Sequence, residues 1–82
     1  MSNAGMPRVV VYHAEKCHLC DRAIEVVESV RAERAFELTL VDIGGDPELE
    51  ERYRERIPVI EVDGQASFTF VVTPEALRDR LG

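Results

Sequence analysis

The sequence predicts a small α/β domain with the element order β-α-β-α-β-β-α. Three observations carry that expectation. A β-branched run precedes a long amphipathic stretch, a second alternating run follows it, and an Asp-Gly pair joins the last two apolar runs. At 82 residues the chain is of single-domain length, and 45% apolar composition suffices for one modest core.

The first strand is read at Arg8 to Tyr12, Arg-Val-Val-Val-Tyr, the pattern of a buried strand. From His18 to about Glu33, Cys20, Ala23, Ile24, Val27 and Val30 recur at helical spacing, while Glu25, Glu28, Arg31 and Glu33 take the other face. Phe36 to Ile43 alternates, with Phe36, Leu38 and Leu40 on one side, and reads as the second strand. After Gly44-Gly45, Asp46 is a cap and Pro47 a first-turn residue for a short helix to about Arg54 that buries Leu49 and Tyr53. Ile57 to Val62 is the third strand, Asp63-Gly64 a hairpin turn, and the fourth strand lies around Phe68, Phe70 and Val72. Thr73-Pro74-Glu75 starts a last helix that buries Leu77 and Leu81. The helical crossover makes the first two strands parallel, and the hairpin adds an antiparallel pair.

Charge excludes some functions. The formal net charge is −6, which repels phosphate backbones and anionic lipid. The arginines between Arg31 and Arg56 are interleaved with glutamates, a pattern of solvated faces. No nucleic-acid partner is expected. Nor is a membrane partner, since no apolar run approaches the ~20 residues of a spanning helix. Residues 1–5 lack the pattern of a signal peptide and read as a cloning remnant, leaving residues 6–82 as the domain. A monomer in the cytoplasm is expected.

The two cysteines stand three positions apart, in Cys17-His18-Leu19-Cys20. So short a loop restrains the unfolded chain little, and a reducing compartment does not favour it as a staple. The motif sits where the first strand passes into the first helix. There, unpaired amides and the positive dipole end favour a thiolate. Cys17, outermost, is expected to be exposed and nucleophilic. Cys20, one turn in and on the apolar face, is expected to be buried and to resolve the mixed disulfide. Lys16 and His18 favour the Cys17 thiolate, and Glu15 and Asp21 oppose it.

Other uses of such a pair fit less well. Covalent haem needs a histidine after the second cysteine, and Asp21 stands there. Structural zinc needs four ligands, and only His13 and His18 are at hand besides the cysteines. No metal site is expected. Two inert packed thiols are the bland alternative. Tyr12, His13 and Asp21 read as packing, loop and first-turn residues rather than catalytic ones.

These motifs together resemble the thioredoxin superfamily, and in particular its small glutaredoxin-like proteins. The resemblance is carried by Tyr12, Cys17-His18-Leu19-Cys20-Asp21, Val41-Asp42-Ile43, Asp46-Pro47-Glu48-Leu49, Tyr53, Ile57-Pro58-Val59 and Asp63-Gly64. It implies a thioredoxin-like, three-layer fold, with a four-stranded mixed sheet flanked by helices. It implies a cis Ile57–Pro58 bond facing the cysteines, with the Ile57 amide and carbonyl pairing a substrate's extended chain. Pro58, Arg56 and His18 join Ile57 as the residues that meet the substrate, a protein or small-molecule disulfide.

Departures from the glutathione-using members bear on the reductant. Ala14 replaces their lysine, Arg56 their threonine, and Val72-Thr73-Pro74-Glu75 their glycine pair and acidic residue. Arg56, and Thr73 with the helix amides, are then the groups left to hold glutathione carboxylates. The motif also lacks thioredoxin's Trp before the pair and Gly-Pro within it. The sequence therefore points to a two-cysteine thiol–disulfide oxidoreductase with no organic cofactor and glutathione as an optional reductant. Its rival is a non-catalytic binding module on the same fold, holding a peptide, glutathione or a bridging iron–sulfur cluster.

Overall fold

The computed structural model describes residues 6–82, so the expectation for residues 1–5 lies outside the described residues. The elements are β1 (Arg8–His13), α1 (His18–Glu33), β2 (Glu37–Asp42), α2 (Pro47–Tyr53), β3 (Val59–Val62), β4 (Gln65–Thr69) and α3 (Pro74–Leu81). They form one four-stranded sheet in the order β2-β1-β3-β4. β1 pairs parallel with β2 (Val11 opposite Leu40) and antiparallel with β3 (Tyr12 opposite Val59), and β3 pairs antiparallel with β4.

Alternation along β1 decides what covers each face. Val9 and Val11 point toward α1 and α3, into a core with Ala23, Val27, Val30, Ile60, Val62 and Leu77. Each fully buried aliphatic there contributes roughly 1.5–3 kcal/mol. Tyr12 faces the other way, onto a smaller cluster of Ala14, Ile43, Tyr53 and Val59 under the short helix α2. Helices on both faces of the sheet give the three layers.

The caps are those the sequence announces. Asp46 Oδ1 accepts from the N–H groups of Glu48 and Leu49 at 3.1 and 3.2 Å, and Thr73 Oγ1 accepts from Ala76 N–H at 3.1 Å. Pro47 and Pro74 sit in the first turns. Asp63 and Gly64 both take positive φ, 53° and 83°, as a tight two-residue hairpin requires. Across the chain, Arg8 N–H donates to Asp63 Oδ1 at 3.0 Å and ties the turn to β1.

Two points of the sheet depart from simple alternation, and the second corrects the expected fourth strand. Leu40, in register with buried Val11, is 42% exposed because β2 is an edge strand. The fourth strand ends at Thr69 rather than running through Phe70 and Val72. Phe70 has φ +68°, which no strand accommodates, so the alternation of Phe68, Phe70 and Val72 is broken. Val72 is buried all the same, in the core beneath α3. Phe70 is exposed. No helix among the described residues is long and apolar enough to cross a membrane.

Candidate functional site

The central strand β1 delivers the cysteines. After His13 the chain leaves the sheet, Ala14 is buried against Ile43, and Lys16 turns it with φ +57° into Cys17. Cys17 is the N-cap of α1, in extended conformation (φ −121°, ψ 101°). Its Sγ accepts from the Cys20 N–H at 3.1 Å, and its carbonyl accepts from Asp21 N–H at 3.0 Å. The sulfur thus stands in for the oxygen of a capping side chain and meets an amide that the helix leaves unpaired.

Cys17 and Cys20 are joined as a disulfide, with Cα atoms 5.2 Å apart. Their environments differ as the helical pattern predicts, though less sharply for one of them. Cys20 is completely buried, whereas Cys17 is half-buried rather than open. Among the described residues no cluster of three or more histidine, cysteine or carboxylate side chains offers a metal site.

The Ile57–Pro58 bond is cis, and Pro58 directly precedes Val59, the register partner of Tyr12. That pairing brings the start of β3 to the end of β1 from which the Cys17 loop departs. Pro58 is fully buried and Ile57 half-buried against the α2-side cluster. The Pro58 carbonyl is taken by Phe70 N–H at 2.9 Å. The Ile57 amide and carbonyl have no hydrogen-bond partner among the described residues, and so remain open to an added extended chain.

The remaining site candidates separate. His18 is exposed and lines a groove of about 760 Å³ between the first turns of α1 and the Phe70–Val72 segment. Arg56 does not line that groove. It borders a shallow charged depression with Glu50, Arg52, Arg54 and Glu55 at the end of α2. Thr73 uses its hydroxyl as the cap of α3. Tyr12 stacks on Tyr53 with ring centres 4.3 Å apart. Burial first, then the Glu61 carboxylate and Tyr53, push the Tyr12 hydroxyl up to about 12. A phenol held neutral in this way packs rather than titrates. Reading the sequence missed Leu19, Phe70 and Val71 as groove residues. A strand pattern turned Phe70 inward, and no local signal marks the positive φ that turns it out.

Comparison with known proteins agrees with this architecture. The family described as glutaredoxin-like domain matches residues 8–82. The X-ray structure of protein XcR50 from X. campestris is 30% identical, with TM-score 0.76, covering 89% of this chain and 93% of that one. Protein Ne2328 from Nitrosomonas europaea is 25% identical over 94% of this chain and 93% of its own, with TM-score 0.78. Thioredoxin from Fasciola hepatica is 26% identical, with TM-score 0.65, covering 98% of this chain and 82% of that one. Among curated proteins there is no match.

Proposed function

This chain belongs to the glutaredoxin-like domain family, and from that premise we propose that it is a thiol–disulfide oxidoreductase. Cys17 is the nucleophile and Cys20 the resolving thiol. The observation that carries the reading is the asymmetry of the pair. Cys17 is the more accessible residue and its sulfur accepts an amide at a helix N-terminus, while Cys20 is completely buried. A helix N-terminus that donates to sulfur favours the thiolate, the form that attacks disulfides.

In the reduced chain, the Cys17 thiolate attacks one sulfur of a substrate disulfide. A Cys17–substrate bond forms, the substrate S–S bond breaks, and the departing thiolate takes a proton. Cys20, deprotonated, then attacks Cys17 Sγ, forms the intramolecular disulfide and releases the second substrate thiol. The substrate gains two electrons and two protons, and the chain ends in the disulfide state described above. A dithiol, or two glutathione molecules, returns it to the reduced state, with no organic cofactor.

The free Ile57 amide and carbonyl hold the substrate's backbone alongside the sulfurs. Pro58 supplies a wall without an N–H, and His18 meets the substrate at the mouth of the motif. Arg56, in the charged depression at the end of α2, meets only an extended substrate. A reducing compartment such as the cytoplasm suits a close pair kept for exchange rather than for bracing.

The test is a redox titration of the purified protein in defined dithiothreitol or glutathione buffers, with alkylation and mass spectrometry scoring Cys17 and Cys20. A reversible intramolecular disulfide with a midpoint between about −120 and −270 mV is expected, the span of exchange catalysts. Cys17→Ser abolishes exchange, and Cys20→Ser accumulates a mixed disulfide on Cys17. Exchange that survives Cys17→Ser overturns the proposal.

A further inference from the structure

Leu19, Phe70 and Val71 are 43%, 46% and 63% exposed, and all three line the groove beside α1. Single exposed apolar residues call for no explanation, but three around one groove, Leu19 from its helix wall and Phe70 and Val71 from the facing segment, mark a recognition surface. Backbone geometry holds the aromatic one in place. Val71 N–H donates to the Thr69 carbonyl at 2.7 Å, closing a γ-turn around Phe70 at φ +68°, a conformation bulky residues rarely adopt. The Phe70 N–H is itself bound to the Pro58 carbonyl. The ring therefore belongs to the same corner as the open backbone of Ile57.

The helix side of the groove adds charge. Asp21 and Glu25, one turn apart, face it, opposed by Arg22 and, at the motif end, by the imidazole of His18. Neither carboxylate is in an ion pair among the described residues. The groove is thus apolar near the motif and net acidic farther along, within a chain of formal charge −6. Leu19 and Glu25 are separated by about 9 Å of helix, at ~1.5 Å per residue, which an extended chain spans in about three residues.

We propose that this groove receives the polypeptide flanking the substrate's cysteine. It selects protein disulfides with an apolar residue beside that cysteine and a lysine or arginine about three residues beyond it. The inference rests on the thiol-exchange reading and names its substrate class. Glutathione, a small anion without an apolar side chain, meets the groove with the wrong charge.

The experiment compares reduction of four disulfides by the reduced protein. Two are peptides alike in sequence, with leucine beside the cysteine and either lysine or glutamate three residues on. The others are glutathione disulfide and the uncharged hydroxyethyl disulfide. The lysine peptide is expected to exceed the glutamate peptide roughly tenfold in kcat/KM at low salt, with the gap closing as salt is added. It is also expected to exceed glutathione disulfide. Glu25→Lys levels or inverts the peptide ratio. Equal rates for the two peptides, or glutathione disulfide faster than both, overturn the inference while turnover of hydroxyethyl disulfide leaves the thiol chemistry standing. Failure to reduce hydroxyethyl disulfide overturns the thiol reading, and this inference with it.

Discussion

The backbone N–H of Cys20 points at Cys17 Sγ from 3.1 Å, so the buried cysteine supplies, through its amide, the group that stabilises charge on the accessible one. The two residues are asymmetric in burial but coupled by one hydrogen bond. In the reduced protein this predicts a selective alkylation pattern. Iodoacetamide modifies Cys17 with a pH midpoint below the ordinary thiol value of about 8.5. Cys20 stays unmodified until denaturant is added. Mass spectrometry after timed quenching reads both. Equal modification of the two thiols in the folded protein contradicts the geometry.

Tyr12 makes a pH prediction of definite sign. Its hydroxyl is raised to about 12 from the ordinary 10, first by burial and then by the nearby Glu61 carboxylate. The neutral phenol is the form the fold prefers. The stability it contributes is therefore complete below pH 10 and is lost as pH climbs toward 12. In a Tyr53→Phe variant, which keeps the burial and the Glu61 carboxylate but loses the smaller contribution of the Tyr53 hydroxyl, phenolate absorbance of Tyr12, the remaining tyrosine, should still appear above pH 10. Chemical denaturation should show stability falling over that same interval. A midpoint at 10 contradicts it.

Much of this was legible from the chain, and the limits have physical causes. The order of elements follows from the period of the apolar residues, and the caps Asp46 and Thr73 from short side chains ahead of proline. The cysteine asymmetry follows from Cys20 sharing a helical face with Ala23 and Val27. What sequence does not carry is the edge of the sheet and the groove. Leu40 has the pattern of a core residue, yet it lies on edge strand β2. Phe70 continues the alternation of β4, yet its N–H is claimed by the Pro58 carbonyl, 12 positions earlier in the chain. Such a contact leaves no trace in local periodicity.

The junction of α1 with α3 separates packing from charge. Arg78 makes two 2.9 Å contacts to the Glu33 carboxylate, which hold that carboxyl below its usual range. Both side chains are largely exposed, at 40% and 52%. Next to Arg78, Leu77 is completely buried against the α1 core. Leu77→Ala is expected to cost roughly 2–5 kcal/mol by cavity formation, whereas Arg78→Met changes the thermal midpoint little, because solvent screens an exposed pair. Thermal denaturation of the two variants decides the order. A larger loss from Arg78→Met refutes the reasoning.

Phe70 offers a test in which apolar surface and backbone oppose each other. At φ +68° a β-branched side chain is a steric outlier, whereas glycine adopts the angle freely. Valine keeps part of the apolar surface that phenylalanine presents to the groove, and glycine keeps none. If contacts dominated, Phe70→Val would be the milder substitution. The backbone penalty at this position is of order 1–3 kcal/mol, and a ring 46% exposed has less than its full burial energy to lose. Phe70→Val is therefore expected to be the less stable variant. At about 4–8 °C per kcal/mol for a domain of this size, its thermal midpoint should lie several degrees below that of Phe70→Gly. The reverse order would mean that the turn after β4 relaxes out of the left-handed region when the ring is removed. The Phe70–Pro58 hydrogen bond would then not be what fixes the turn.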